Sequence, residues 1–163
     1  MFTKSDFLQV ADSIKHPNEW MRLCQYPGLH YCVYPQFAFK TPDSEERICI
    51  TRSRKKPDDS GVLFWLAAAL CADNCFPVTE NKWFEYARPY LSEGAFQSID
   101  ESEVNRLVEE SCSYLLADIQ LPLGGKSQFK GALMMRSMAK EFEVSIFIEY
   151  EDEFVDFNWE TAA

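Results

Sequence analysis

His30 and Cys32 are the residues with the clearest potential for nucleophilic chemistry in this 163-residue chain, which has only two histidines and six cysteines. They lie two apart in a segment of strand character, so both side chains leave the same face. A catalytic pair further requires the imidazole to hydrogen-bond the thiol, and alternation alone does not supply that contact. An enzyme with a pocket near His30, Cys32 and neighbouring carboxylates is therefore the alternative reading, and a non-enzymatic protein is the main one. Cys71 and Cys75 share a helix face, and Cys24, His30 and Cys32 offer further metal ligands. None of these has the C-x₂-C pairing of common zinc sites, so Cys24, Cys32, Cys49, Cys71, Cys75 and Cys112 are expected as packed thiols, with no metal and no cofactor. Gly124-Gly125-Lys126-Ser127 ends like a phosphate-binding loop, but Gln120 stands where the earlier glycine belongs; a helix stop is the better reading. Glu109 and Glu110 would do acid–base work only inside a cleft, and their spacing suits a polar helix face.

The chain that must position these residues is 47% hydrophobic and 15% aromatic, enough for one substantial core over residues 1–163. The N-terminal residues lack a secretory pattern. The longest apolar run, Val62 to Ala72, spans only about 16 Å as a helix against roughly 30 Å of bilayer hydrocarbon. No membrane partner is expected, and the expected compartment is the cytoplasm, where thiols stay reduced.

Net charge is −10 and unevenly spread. Residues 81–163 hold sixteen Asp/Glu against seven Lys/Arg, and no Lys or Arg follows Lys140. Such a field repels nucleic acid and attracts a basic protein surface. Arg47, Arg52, Arg54, Lys55 and Lys56 form the opposing cluster, read as a solvated strand end or as a complement to the acidic end of a second copy.

Helical spacing of Phe7, Val10, Ala11 and Ile14 predicts a helix from Ser5 to about Lys15, and a short one is possible over Asn18 to Gln25. Leu29–Tyr34 and Arg47–Arg52 read as paired strands. The Val62 run, rich in Leu and Ala, reads as a core helix, and Thr79 is a candidate cap for another through Tyr86. Asp100 and Glu103 resemble a capping pair for a helix whose stripe is Val104, Leu107, Val108, Cys112, Leu115, Leu116 and Ile119. Phe129 to Glu141 shows both periodicities, with helix favoured through Met134, Met135 and Met138.

The C-terminal segment alternates more clearly. Phe142, Val144, Ile146 and Ile148 interleave with Glu143, Ser145, Phe147 and Glu149; beyond a four- or five-residue connection, Val155, Phe157 and Trp159 interleave with Phe154, Asp156, Asn158 and Glu160. The fold expected is α+β: several helices on a small, mainly antiparallel sheet ending in a C-terminal hairpin. With the apolar faces aligned, Glu143, Phe147, Glu149, Glu151, Asp152, Glu153, Phe154 and Asp156 form a partner-binding face of aromatic anchors among carboxylates. Phe147, Glu149, Glu151, Asp152, Glu153, Asp156 and Trp159 give this end a character that resembles the small acidic immunity proteins that bacteria make against their own toxins. That resemblance implies a cytoplasmic inhibitor that blocks a basic partner, such as a cognate toxin. A structural homo-oligomer, using the aromatic and Met-rich segments, is a further alternative.

Overall fold

Alternation at the C-terminus becomes the centre of a six-stranded sheet in the computed structural model, which describes residues 1–13, 26–41, 43, 45–72, 93–122, 126–136 and 143–161. The strands are β1 (His30–Tyr34), β2 (Arg47–Arg54), β3 (Ala95–Ile99), β4 (Phe129–Arg136), β5 (Glu143–Tyr150) and β6 (Glu153–Glu160). Their order is β1-β2-β6-β5-β4-β3, and every neighbouring pair is antiparallel. The described helices are α1 (Lys4–Ser13), α2 (Val62–Ala72) and α3 (Glu101–Ser111), with a 3₁₀ turn at Gln36–Ala38. None of these helices is long and apolar enough to cross a membrane.

The central strands of the sheet are buried on both sides, whereas β1 and β3 at its edges are largely exposed. On one face, Phe7 of α1 and Val62, Phe64, Trp65 and Leu66 of α2 pack with Leu133, Met135, Phe147 and Phe154. On the other, Val104, Leu107 and Val108 of α3, with Phe39 and Leu115, pack with Ile48, Ile50, Ile146, Ile148, Val155 and Phe157. Strands covered on both faces lose the simple in–out alternation of a half-exposed sheet, which explains one departure from expectation. Phe129–Arg136 is a strand rather than a helix: its burial runs unbroken from Gly131 to Met135 because helices lie above and below it. The residues Ala95–Ile99 also form a strand that no periodicity announced.

Local signals held where the backbone chemistry was explicit. Asp100 caps α3, its carboxylate accepting from the Glu103 N–H at 2.9 Å, and Arg106 bridges Glu103 and Glu110, each one turn from it. The helix stops at Ser111, three turns after its start. The poor helix formers Ser111, Cys112 and Ser113 end it, and the chain turns so that Leu115 forms a bridge with Phe39. At the start of α2, Asp59 Oδ1 accepts from the Gly61 N–H at 2.9 Å, while its Oδ2 accepts from the Tyr26 hydroxyl at 2.7 Å. The helices expected at Asn18–Gln25 and Thr79–Tyr86, and the Gly124-Gly125 stop, fall outside the described residues.

Candidate protein-binding surface

The C-terminal hairpin has the expected facing: Glu143 opposes Glu160, Ser145 opposes Asn158, Phe147 opposes Asp156 and Glu149 opposes Phe154. Its connection is tighter than expected, with β5 reaching Tyr150 and β6 resuming at Glu153. The exposure expected of that face is corrected. Phe147 and Phe154 are fully buried, 5.4 Å apart between ring centroids, with Phe64 5.5 Å from Phe154 and Phe2 4.9 Å from Phe147. They anchor α2 and the N-terminus to the sheet instead of a partner. The physical cause is position: β5 and β6 occupy the middle of the sheet, where an aromatic face buried beneath a helix gains the full hydrophobic stabilisation.

The carboxylates of the hairpin are largely answered from within the chain, because the β2–β6 register sets the basic strand beside the acidic one. Arg47 meets Glu160 at 3.1 Å, Arg52 lies 3.8 Å from Glu153, and Lys55 pairs with Glu149. Glu149 also receives the N-terminal ammonium at 2.9 Å. Burial works to raise the Glu149 carboxyl, but the hydrogen bonds from Lys55 and the N-terminus outweigh it and hold it below its ordinary value. Glu153 is pushed the other way, first by burial. Glu143 is half-buried. Only Glu151 and Asp152 are exposed among the eight expected site residues, and Asp152 accepts a hydrogen bond from the Ser127 hydroxyl. The basic cluster thus complements the acidic strand of its own chain. Arg52, Arg54, Lys55 and Lys56 of that cluster, with His30, Gly28, Asp152 and Glu153, line an open groove of about 670 Å³.

Asp156 is the most confined of the expected carboxylates. It has no exposed surface; Asn158 donates to Oδ2, and Oδ1 has no partner among the described residues. Thr51, directly opposite on β2, is equally buried, and its hydroxyl has no partner among the described residues. Burial drives the Asp156 carboxyl well above its ordinary 3.8; the Asn158 hydrogen bond opposes this only in part, and Glu143 adds to it. Because the folded pKa is the higher one, stability is fully present at acid pH and falls as pH rises from about 3.8 through the folded value. Asp156→Asn is therefore expected to raise stability at neutral pH by about 1–3 kcal/mol and to remove this decline. Urea unfolding between about pH 4 and pH 8 measures both effects; a variant less stable than wild type at pH 7 contradicts the assignment.

His30 and Cys32 both sit exposed on β1, on one face as expected. The neighbouring Cys32 thiol first, and then burial, raises the Tyr34 hydroxyl above its ordinary value. Cys112 is half-buried and its thiol is pushed up to about 11 by burial, which suits a packing role. Among the described residues, no three His, Cys, Asp or Glu side chains gather to hold a metal. Cys24, Cys75 and the Cys71 side chain lie outside the described set.

Exposed aromatic side chains near carboxylates do occur, in a different place. The Lys40 N–H donates to the Tyr114 carbonyl at 2.7 Å, and the Leu116 N–H to the Ala38 carbonyl at 2.9 Å, tying the 3₁₀ turn to the segment after α3. This pairing turns Phe39 and Leu115 into the core and leaves Phe37, Tyr114 and Leu116 at 75%, 53% and 67% exposure. Beside them is a groove of about 570 Å³ containing Val108, Cys112, Leu115 and Ile119, with Glu109 and Asp118 among its polar lining. Sequence reasoning missed this surface by extending the α3 stripe through Leu115, Leu116 and Ile119; the Ser111-Cys112-Ser113 break was the available signal. Comparison with protein-family models, curated proteins and solved structures found no match to this chain.

Proposed function

We propose that this α+β protein is a non-enzymatic binding module, an inhibitor of the immunity type that acts in the cytoplasm by covering a basic surface on a protein partner. The observation that carries the reading is the exposed Phe37, Tyr114 and Leu116 cluster beside a groove with Glu109 and Asp118. Large exposed apolar groups supply contact area once desolvated, and flanking carboxylates select a basic counterpart. The exposed Glu151 and Asp152 of the hairpin tip add to the net −10 field that draws such a partner in. The apolar cluster sets how long the complex lasts, and the charges set how quickly it forms.

The test begins with affinity capture of a basic protein from the native cell and proceeds to binding kinetics with that purified partner. Phe37→Ser/Leu116→Ser is expected to weaken binding by at least roughly tenfold, chiefly through faster dissociation. Glu151→Lys/Asp152→Lys is expected to slow association, with the difference shrinking at high salt. Loss of neither quantity in the respective variants would refute the proposed division of labour. A partner engaged equally well by Phe37→Ser/Leu116→Ser binds elsewhere.

A further inference from the structure

We propose that β1 pairs with β1 of a second copy of this chain, antiparallel and centred on Cys32, so that two six-stranded sheets become one. β1 is the outer strand of the described sheet, and His30, Tyr31, Cys32 and Val33 are all exposed, Tyr31 at 68%. An open edge presents unpaired backbone donors and acceptors, and chains that remain monomeric usually blunt it with lysine, proline or a bulge. His-Tyr-Cys-Val-Tyr has none of these, and its register with β2 is unbroken over all five residues. The opposite edge is different. β3 turns Phe96 towards the core, exposes Ala95, Gln97 and Ser98, and begins beside the Lys4 ammonium, which donates to the Gly94 carbonyl at 2.6 Å.

Charge favours a second copy as the occupant. The His30 end of β1 lies near exposed Arg54, Arg52 opposite His30 being answered by Glu153, whereas the Tyr34 end leads into the connection carrying exposed Asp43 and Glu45 against one exposed lysine, Lys40. A two-fold axis through Cys32 sets each basic end beside the partner's acidic end and needs no second type of surface. It also sets Tyr31 opposite the partner's Val33. Cys32 then faces its own copy at a Cα separation of about 4.5–5.5 Å, within disulfide range. This surface is separate from the Phe37, Tyr114 and Leu116 cluster, and the inference does not depend on the partner reading.

The experiment is light scattering of the full chain over a concentration series, with copper–phenanthroline oxidation followed by non-reducing electrophoresis. The expected results are a concentration-dependent dimer and a cross-linked dimer that disappears in Cys32→Ser. Tyr31→Lys/Val33→Lys sets like charges directly across the axis and is expected to raise the dimer dissociation constant by on the order of tenfold or more. Exposed Arg54 provides a second variant: Arg54→Glu is expected to weaken the dimer, and Arg54→Glu/Glu45→Arg to restore it. A monomer throughout, a dimer indifferent to both the lysine and the Arg54 variants, or the lack of a cross-link through Cys32 overturns the proposal.

Discussion

Phe147→Ala is expected to lower the unfolding free energy by about 3–5 kcal/mol, among the larger losses a single substitution causes in a domain of this size. The ring is wholly buried on β5 and stands between the N-terminal Phe2, the α2 residue Phe64 and Phe154 on β6, so its removal opens a cavity where three parts of the chain meet. Chemical denaturation reads the loss directly. A partner-facing aromatic would behave oppositely: truncation would leave stability within about 0.5 kcal/mol and reduce binding instead. The experiment therefore separates the two roles that the alternating pattern allows for Phe147.

Gly61→Ala carries the second large effect. Gly61 has φ +87°, a backbone conformation that costs an L side chain about 1–2 kcal/mol, and an added Cβ would overlap the Phe147 ring and approach Phe154 within 3.2 Å. Both rings are fully buried. With overpacking worth typically about 1–3 kcal/mol, a total loss of about 2–5 kcal/mol is expected. In a Phe147→Ala background the ring overlap vanishes, and the same glycine substitution is expected to cost only the backbone part, about 1–2 kcal/mol. Equal costs in both backgrounds would show that the contact between the α2 entry and β5 is not what constrains Gly61.

These two residues also show what periodicity reveals and what it leaves open. The hairpin, its facing and its register follow from side chains alternating along β5 and β6, and the Asp100 cap follows from a local hydrogen bond; neither requires knowledge of the rest of the fold. Whether the Phe147 face meets water or a helix depends on residues more than eighty positions away, at Phe64 and Phe2. Alternation carries no information about that. Charge misled for the same reason: Glu149, Glu153 and Glu160 read as a free acidic block until the β2–β6 pairing sets Lys55, Arg52 and Arg47 beside them. In β4, burial on both faces erased the period-two signal, and Met134 and Met135 then suited a helix as well as a strand. The exposed cluster at Phe37, Tyr114 and Leu116 arises from pairing between segments more than seventy residues apart, so it has no contiguous sequence signature.

Hydrogen–deuterium exchange of the chain with and without its captured basic partner tests the central claim most directly. Amides of the 3₁₀ turn and of the segment following α3 lie at the surface and are expected to slow on binding, across about residues 36–40 and 109–121. The buried strands β5 and β6 are expected to exchange slowly in both states, with little change at Glu151 and Asp152. Protection concentrated at the hairpin tip, with residues 36–40 and 109–121 unchanged, would contradict the account and return the binding surface to the C-terminal carboxylates.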